Sequence, residues 1–263
     1  SKISIGKPDK TKNGDYYDHE FLEEENILLA VLGDGVGSSP CDWKASEMGC
    51  KLFILEFKKQ LNEPNINKRI INSIKKLNET LLLEPGTCAG LKSTFSLVVW
   101  EFDKHLLHFV NIGDSRIYMF DGKMLTQLSS DETKSVILKK KDGKPMIISG
   151  AVVVAEGITN VIGSRDMKIA LQSMDAKNIL GITLASDGFH GCKNSFEKDF
   201  IKVFESLNFQ NALDQLQKSY ADYQKDDMSV LAIRRDQVKD NQKQIIASIL
   251  KNYCYLYKDI KIN

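Results

Sequence analysis

Three short apolar runs in this chain end directly on an aspartate. They are Leu28-Leu29-Ala30-Val31-Leu32-Gly33-Asp34, His108-Phe109-Val110-Asn111-Ile112-Gly113-Asp114 and Ile182-Thr183-Leu184-Ala185-Ser186-Asp187. A fourth is the mirror case: Asp226-Asp227 opens the run Met228–Arg234. Short continuous apolar runs bounded by Gly and Asp read as strands buried on both faces. An ionised carboxylate at the end of such a strand is costly unless something cationic compensates. Several such ends gathered on one rim form a carboxylate cluster whose mutual repulsion a metal ion relieves. With oxygen donors only, and no His or Cys nearby in sequence, the expected ions are hard: Mg²⁺ or Mn²⁺. Gly35 and Gly188 follow two of these acids, where glycine lets the backbone turn sharply and brings the Gly35 carbonyl within reach of a metal. Any one Asp-Gly after a strand reads as a turn; it is the joint occurrence that points to a site.

The remaining pattern sets the architecture. Asp42 to about Leu61 has helical periodicity, with Ala45, Met48, Leu52 and Leu55 as its stripe and Asp42 as N-cap or first-turn acid. A second helix runs from about Ile66 to Leu83 on Ile66, Ile70, Ile74, Leu77 and Leu81, and stops before Pro85-Gly86. Ser93–Phe102, His105–Ile112, Arg116–Phe120 and Lys123–Leu128 then read as the strands of an antiparallel meander, with Asp121-Gly122 as a hairpin turn. Ser129–Gly163 carries the basic turn Lys139–Lys144 and reads either as a substrate-facing flap or as a solvated loop. Gly181–Ser186 is another buried strand. Phe196–Leu207 and Gln210–Tyr223 are amphipathic helices, and Met228–Arg234 is the last strand. Strands and helices come in blocks, which favours an α+β layered fold with antiparallel sheets. The expected organisation is one domain over residues 1–235 and a tail over 236–263, with Ile245, Ile249, Tyr253 and Leu256 on one helical face.

Composition excludes several classes. Lys+Arg is 36 against Asp+Glu 35, so no global positive field draws in a nucleic-acid backbone. Apolar runs fall far short of the roughly 18–20 residues of a membrane helix, and the first residues lack the apolar stretch of a signal peptide. The cysteines number five, with no C-x-x-C pair. That argues against a disulfide framework or zinc knuckle and for a reduced, cytoplasmic location. His105 and His108 are three apart in a strand-like stretch, so they point to opposite faces and cannot share a metal. Gly86–Thr94 glances at a phosphate-binding loop, but Leu91 separates Gly90 from Lys92 and a strand follows where a helix must start.

The same motifs, in this order, resemble the PPM/PP2C family of metal-dependent protein phosphatases in its bacterial branch. Ala30–Gly37 resembles the family's vaDGmGG, and Val110–Tyr118 its anvGDSRaYl. Ile158–Gly163 resembles iT.alG, Thr183–Phe189 llcSDGl, and Asp226–Val230 the closing DNiTvvvv. The resemblance implies a four-layer α-β-β-α sandwich of two antiparallel sheets. It implies hydrolysis of phosphoserine or phosphothreonine in proteins by a hydroxide bridging two Mn²⁺ or Mg²⁺ ions, opposite a cognate Ser/Thr kinase. Residue by residue, Asp34 would bridge the two ions, the Gly35 carbonyl would join one, and Asp187 and Asp226 would complete the other. Asp114 would match the ligand of a third ion. Asp15, in Asn13-Gly14-Asp15, would hold a metal-bound water, and Lys10 would take the place of a phosphate-binding arginine, with Lys12 as its rival.

The sequence departs from that pattern at Gly14, which replaces a glutamate, and at Lys10. Val36 stands where eukaryotic members carry a histidine, and Gly191 where many bacterial members carry an aspartate, with His190 beside it read as an incidental loop residue. No G-x-S-x-G nucleophile signature is present. The rival expectation is a phosphatase-like binding module that is catalytically weak or inactive.

Overall fold

The structure, a computed structural model, describes residues 2–6, 12–140, 142–149, 151–224 and 226–235. Lys10 and the tail 236–263 lie outside these. In chain order the strands are β1 (Lys2–Ile5), β2 (Asp15–Leu22) and β3 (Ile27–Asp34), followed by helices α1 (Asp42–Lys59) and α2 (Ile66–Leu82). Then come β4 (Phe95–Glu101), β5 (Leu106–Ile112), β6 (Arg116–Phe120) and β7 (Leu125–Gln127). The short strands β8 (Thr133–Ile137), β9 (Ile147–Ile148), β10 (Ala151–Val152) and β11 (Val154–Ile158) precede β12 (Gln172–Asp175) and β13 (Gly181–Ala185). The chain closes with α3 (Asp187–His190), α4 (Phe196–Glu205), α5 (Phe209–Ala221) and β14 (Met228–Arg234).

Two five-stranded antiparallel sheets form, ordered β1-β14-β13-β6-β7 and β12-β5-β4-β3-β2, beside the two-stranded pairs β8-β11 and β9-β10. Three packed layers of side chains hold them. Alternate residues of β3 separate: Leu28, Ala30 and Leu32 face the other sheet with Val98, Trp100, Ile182, Leu184, Leu231 and Ile233. Ile27, Leu29 and Val31 face the helices α1 and α2. On the far side, Tyr118, Ala185, Val230 and Ala232 pack against Phe189, Phe196, Phe200 and Tyr220 of α3 to α5. A sheet covered on both faces reads as a continuous apolar run, which is why β3, β4 and β13 were legible from sequence. The expected α-β-β-α sandwich is therefore what forms.

Four expectations are corrected. The meander is broken: β5 pairs with β4 and β12, whereas β6 pairs with β13 and β7. The chain changes sheets at Gly113-Asp114-Ser115, so one connection spans the sandwich end. Helix α1 buries Ala45, Ser46, Gly49, Cys50, Phe53, Ile54 and Phe57, and Leu55 of the expected stripe is exposed. Small residues let this helix approach closely; a Cβ on Gly49 would lie 2.5 Å from Ile162 Cδ1. His105 adopts a left-handed φ of 53° in the turn before β5, outside the strand. His108 is buried, and its ring nitrogens meet Ser173 Oγ at 2.7 Å and Glu101 Oε1 at 2.9 Å, so the two histidines share no site.

The fourth concerns the cysteines. Cys41 and Cys88 form a disulfide, contrary to the expectation of thiols throughout. An odd count and the lack of C-x-x-C carry no information about two cysteines 47 residues apart. The cysteine count thus no longer argues for a reduced compartment. No helix among the described residues is long and apolar enough to cross a membrane.

Candidate acidic site at the end of the sandwich

The strand alternation that builds the inter-sheet core also builds the site. Continuing each inward-facing series to one end of the sandwich leads from Leu32 to Asp34, from Tyr17 to Asp15 and from Leu184 to Ser186. The same count leads from Leu231 through Ser229 to Asp227, and from Val98 through Ser96 to Thr94. The apolar layer thus ends in a polar one. Asp15 and Asp34 are direct partners across β2 and β3.

Backbone and hydroxyl groups hold this layer in place. The Asp34 amide donates to Thr94 Oγ1 at 2.9 Å, and its carbonyl accepts from the Thr94 amide at 2.8 Å and Ser93 Oγ at 2.9 Å. Ser186 Oγ donates to Asp15 Oδ2 at 2.7 Å and accepts from the Ser229 amide at 2.9 Å. Gly14 donates its amide to Asp227 Oδ2 at 2.8 Å, and its carbonyl accepts from the Gly35 amide at 3.0 Å and Ser46 Oγ at 2.6 Å. Two glycines are required by close approach. A Cβ on Gly35 would lie 2.2 Å from the Asp42 carbonyl oxygen, and one on Gly188 would lie 2.0 Å from that of Asp227. The second contact is what brings Asp187 against the Asp226-Asp227 turn.

The acids grade from floor to lip. Asp15 and Asp227 are 5% and 3% exposed, Asp34 and Asp114 are half-buried, and Asp187 and Asp226 open to solvent. Burial, and then the charges of Asp15 and Asp187, hold the Asp34 carboxyl well above the ordinary carboxylate range. Burial pushes Asp15 up to about 7, with the Ser186 hydrogen bond opposing and the charge of Asp227 adding. Burial and then Asp187 push Asp114 up to about 6. Buried carboxylates raised in this way, first by desolvation and then by neighbouring carboxylates, have too little positive charge among them. Asp15 Oδ1 and Asp114 Oδ1 are buried with no hydrogen-bond partner. Among the described residues no three His, Cys, Asp or Glu side chains already stand as a group that could hold an ion. The donor set nonetheless fits a hard divalent cation: oxygen atoms only, some of them buried and unpartnered.

The structure therefore brings Asp15, Asp34, Gly35, Asp187 and Asp226 to one end of the sandwich, with Asp114 beside them at the sheet crossover. Lys12 lies at the same end with its ammonium 3.3 Å from the Trp43 ring centroid. His190, read from sequence as a loop residue, sits beside the crossover: its Nε2 meets the Asp114 carbonyl oxygen at 3.0 Å, and burial lowers its pKa. Asp227 was passed over in sequence in favour of Asp226, yet it is the buried acid of the pair. The signal was there, since counting back in twos from Ile233 lands on Asp227. For Ser186, and for Ser46 reaching over from α1, the contacts are long-range and left no local mark.

Comparison with known proteins bears on the fold and the family. The family profile described as Protein phosphatase 2C matches residues 8–223. Curated proteins give no significant sequence match. Among solved structures, a bacterial serine phosphatase superposes with a TM-score of 0.68 at 19% identity, covering 91% of this chain and 98% of that one. The serine/threonine phosphatase Stp1 from Staphylococcus aureus gives 0.66 at 20% identity, with 90% and 94% covered. The Mycobacterium tuberculosis serine/threonine phosphatase PstP/Ppp gives 0.64 at 16%, with 88% and 96% covered. At such identities these structures establish a shared fold, and the profile match over most of the sequence places the chain in the protein phosphatase 2C family of phosphoprotein phosphatases.

Proposed function

We propose that this chain hydrolyses phosphoserine and phosphothreonine in proteins, using hard divalent ions held at the acidic end of the sandwich. The observation that carries the reading is the group of acids at the end of the inter-sheet core, where burial and neighbouring carboxylates raise the pKa of Asp15, Asp34 and Asp114. Asp34, Asp187 and Asp226, with the Gly35 carbonyl, would hold two Mn²⁺ or Mg²⁺ ions, and Asp114 a third. When bound, such ions lower the pKa of water and neutralise phosphoryl oxygens.

The protein's own residues fix the rest. Ser93 and Thr94 lock the Asp34 backbone, so its carboxylate is held without reorganisation. Asp15 spends Oδ2 on Ser186 and keeps Oδ1 as its open acceptor. Lys12 stands at the lip on Trp43, where it supplies a point charge to a phosphate that draws it off the ring. Lys10 is assigned the same role on the resemblance alone. The acidic end is at the surface, as a phosphorylated side chain of a folded protein requires. We place the enzyme in the cytoplasm, opposite a Ser/Thr kinase, with no nucleic-acid partner, and residues 236–263 as a tail outside the catalytic domain.

The second reading is a phosphatase-like module that binds without turnover. Gly14 in place of a carboxylate and the lack of a ready-made ligand group among the described residues favour it. Hydrolysis of a phosphothreonine peptide by the full chain, with Mn²⁺ and with EDTA, separates the two. The expected result is turnover that requires the ion; calorimetric binding of Mn²⁺ with no turnover would establish the module instead.

A further inference from the structure

We propose that Cys41 and Cys88 are a redox modification site that controls how firmly the acidic end holds its Asp34-Gly35 turn. The inference rests on the phosphatase reading for its consequence, although the covalent link itself does not depend on it. The disulfide joins the two loops that shape this turn. One is the segment from Gly35 to Cys41, and Cys41 caps the N-terminus of α1. The other is the segment from Cys88 to Thr94, whose end clamps Asp34 from both sides.

Between the two loops the remaining ties are few. The Val36 amide donates to the Lys92 carbonyl at 3.0 Å. Ser39 Oγ donates to the Gly90 carbonyl at 2.9 Å and accepts from the Lys92 amide at 3.2 Å. Lys44 and Glu84 form an ion pair at 2.5 Å nearby. Gly35 is pressed against the first turn of α1, as the missing room for a Cβ shows, so the position of Cys41 and Asp42 is felt directly at the Gly35 carbonyl. Opening the disulfide leaves these bonds and the buried anchors Leu91, Ser93 and Thr94, which loosens the outer parts of the two loops and the turn they shape without dismantling the core.

The site is open to a reductant. Cys88 is half-buried, with Thr87 and Ala89 exposed on either side. In a reducing compartment a disulfide is a transient, sensing element rather than a permanent staple. A thiolate of a dithiol reductant attacks the Cys88 sulfur, the Cys41–Cys88 bond breaks, and Cys41 leaves as a thiolate that takes up a proton. Its place at the start of an 18-residue helix favours it as leaving group. The second thiol of the reductant then attacks the mixed disulfide, releasing Cys88 and closing the reductant's own disulfide. Two electrons pass from dithiol to protein.

The test uses the full chain, oxidised or treated with dithiothreitol, and reads Mn²⁺ affinity by calorimetry together with hydrogen exchange over residues 35–41 and 88–94. Reduction is expected to weaken Mn²⁺ binding roughly 10-fold, the size of an outer-shell loss, and to speed exchange in both segments. Reoxidation should reverse both effects. The double variant Cys41→Ser/Cys88→Ser should stay in the weak-binding state and ignore the reductant, whereas Cys192→Ala, outside any disulfide, should keep the response. Equal affinity and exchange in the two states would overturn the proposal, as would alkylation that finds both cysteines as thiols under oxidising conditions. Turnover that is metal-dependent but blind to redox state would leave the phosphatase reading intact and remove only the switch. A redox-dependent change in Mn²⁺ affinity without any turnover would do the reverse.

Discussion

The two ends of the β2-β3-β4-β5 sheet both bury charge, but they treat it in opposite ways. At the end away from the acidic site Glu101 and Glu25 each have a cation, and Asp103 accepts from the Asn26 side-chain amide at 2.6 Å. Glu101 accepts from Lys104 Nζ at 2.5 Å and meets His108 Nε2 at 2.9 Å. Glu25 takes both guanidinium nitrogens of Arg69, whose Nε donates to the Phe57 carbonyl at 2.8 Å while its plane stacks on the Phe57 ring. A cleft of about 290 Å³ opens there, lined by Glu25, Arg69, Glu101 and Lys104 among others. At the other end Asp15, Asp34, Asp114 and Asp187 chiefly meet one another. A buried charge with its partner is a structural element; buried like charges held together by the fold are a cost that a ligand must relieve. The cleft at the paired end is therefore not the place to look for chemistry.

The contrast is broken most directly by neutralising single acids at the unpaired end. Asp34→Asn and Asp187→Asn should each reduce Mn²⁺-dependent hydrolysis of a phosphothreonine peptide by about 1,000-fold, the scale of losing a preorganised electrostatic group. Their thermal unfolding should be unchanged or improved. A variant of either kind that unfolds early and keeps its activity would invert the comparison.

Next in size is the pH dependence of the metal-free protein. Burial pushes the Asp15 carboxyl up to about 7 in the folded state, against 3.8 as its ordinary value. The folded state therefore binds more protons between these values, and stability falls as pH rises through that window. Between pH 5 and pH 8 the fall reaches up to roughly 3 kcal/mol, the part of the shift that lies in that interval. Urea unfolding in EDTA at pH 5 and pH 8 measures it. Asp15→Asn should flatten the slope, and so should saturating Mn²⁺. A metal-free protein more stable at pH 8 would contradict the reading of the cluster.

At the paired end Arg69→Met should cost about 1–2 kcal/mol of stability, since it removes the bond to the Phe57 carbonyl and the partner of a part-exposed Glu25. It should leave Mn²⁺ affinity unaltered, because it stands at the opposite end of the sheet from the acids. Denaturant midpoints and calorimetry on the same sample decide this. Smallest is Lys12→Ala, which removes a cation resting on Trp43. A rise in KM of about 5-fold with kcat little changed is expected, in line with about 1 kcal/mol for an exposed cationic contact.

Much of this was visible in the linear chain, for reasons that differ by element. Strands β3, β4, β13 and β14 are buried on both faces, so burial wrote itself into unbroken apolar runs. Asp34, Asp114, Asp187 and Asp226 stand out because an acid at the end of such a run has no cheap explanation. The edge strands escaped notice. Asp15–Leu22 mixes Asp, His and Glu with its aromatics, and Gln172–Asp175 has little apolar content, since an edge strand needs only one partner and one covered face. The ribbon β8–β11 is exposed almost throughout, with Val136, Ile137, Ile147, Ile148 and Val154 open to solvent. It is held by its own pairing of β8 with β11, so no burial pattern marks it.

The sequence by itself determined the layers and the acids: local periodicity and the cost of a charge at a strand end are properties of neighbours in the chain. Tertiary structure alone decided which strands share a sheet, because β5 and β6 are adjacent in sequence yet lie across the sandwich from each other. It decided that Asp227 is the buried member of its pair, that His190 braces the Asp114 carbonyl, and that Cys41 meets Cys88. Each of these depends on a contact between segments far apart in the chain, and the energy of such a contact is set by closing the fold rather than by any pattern within one segment.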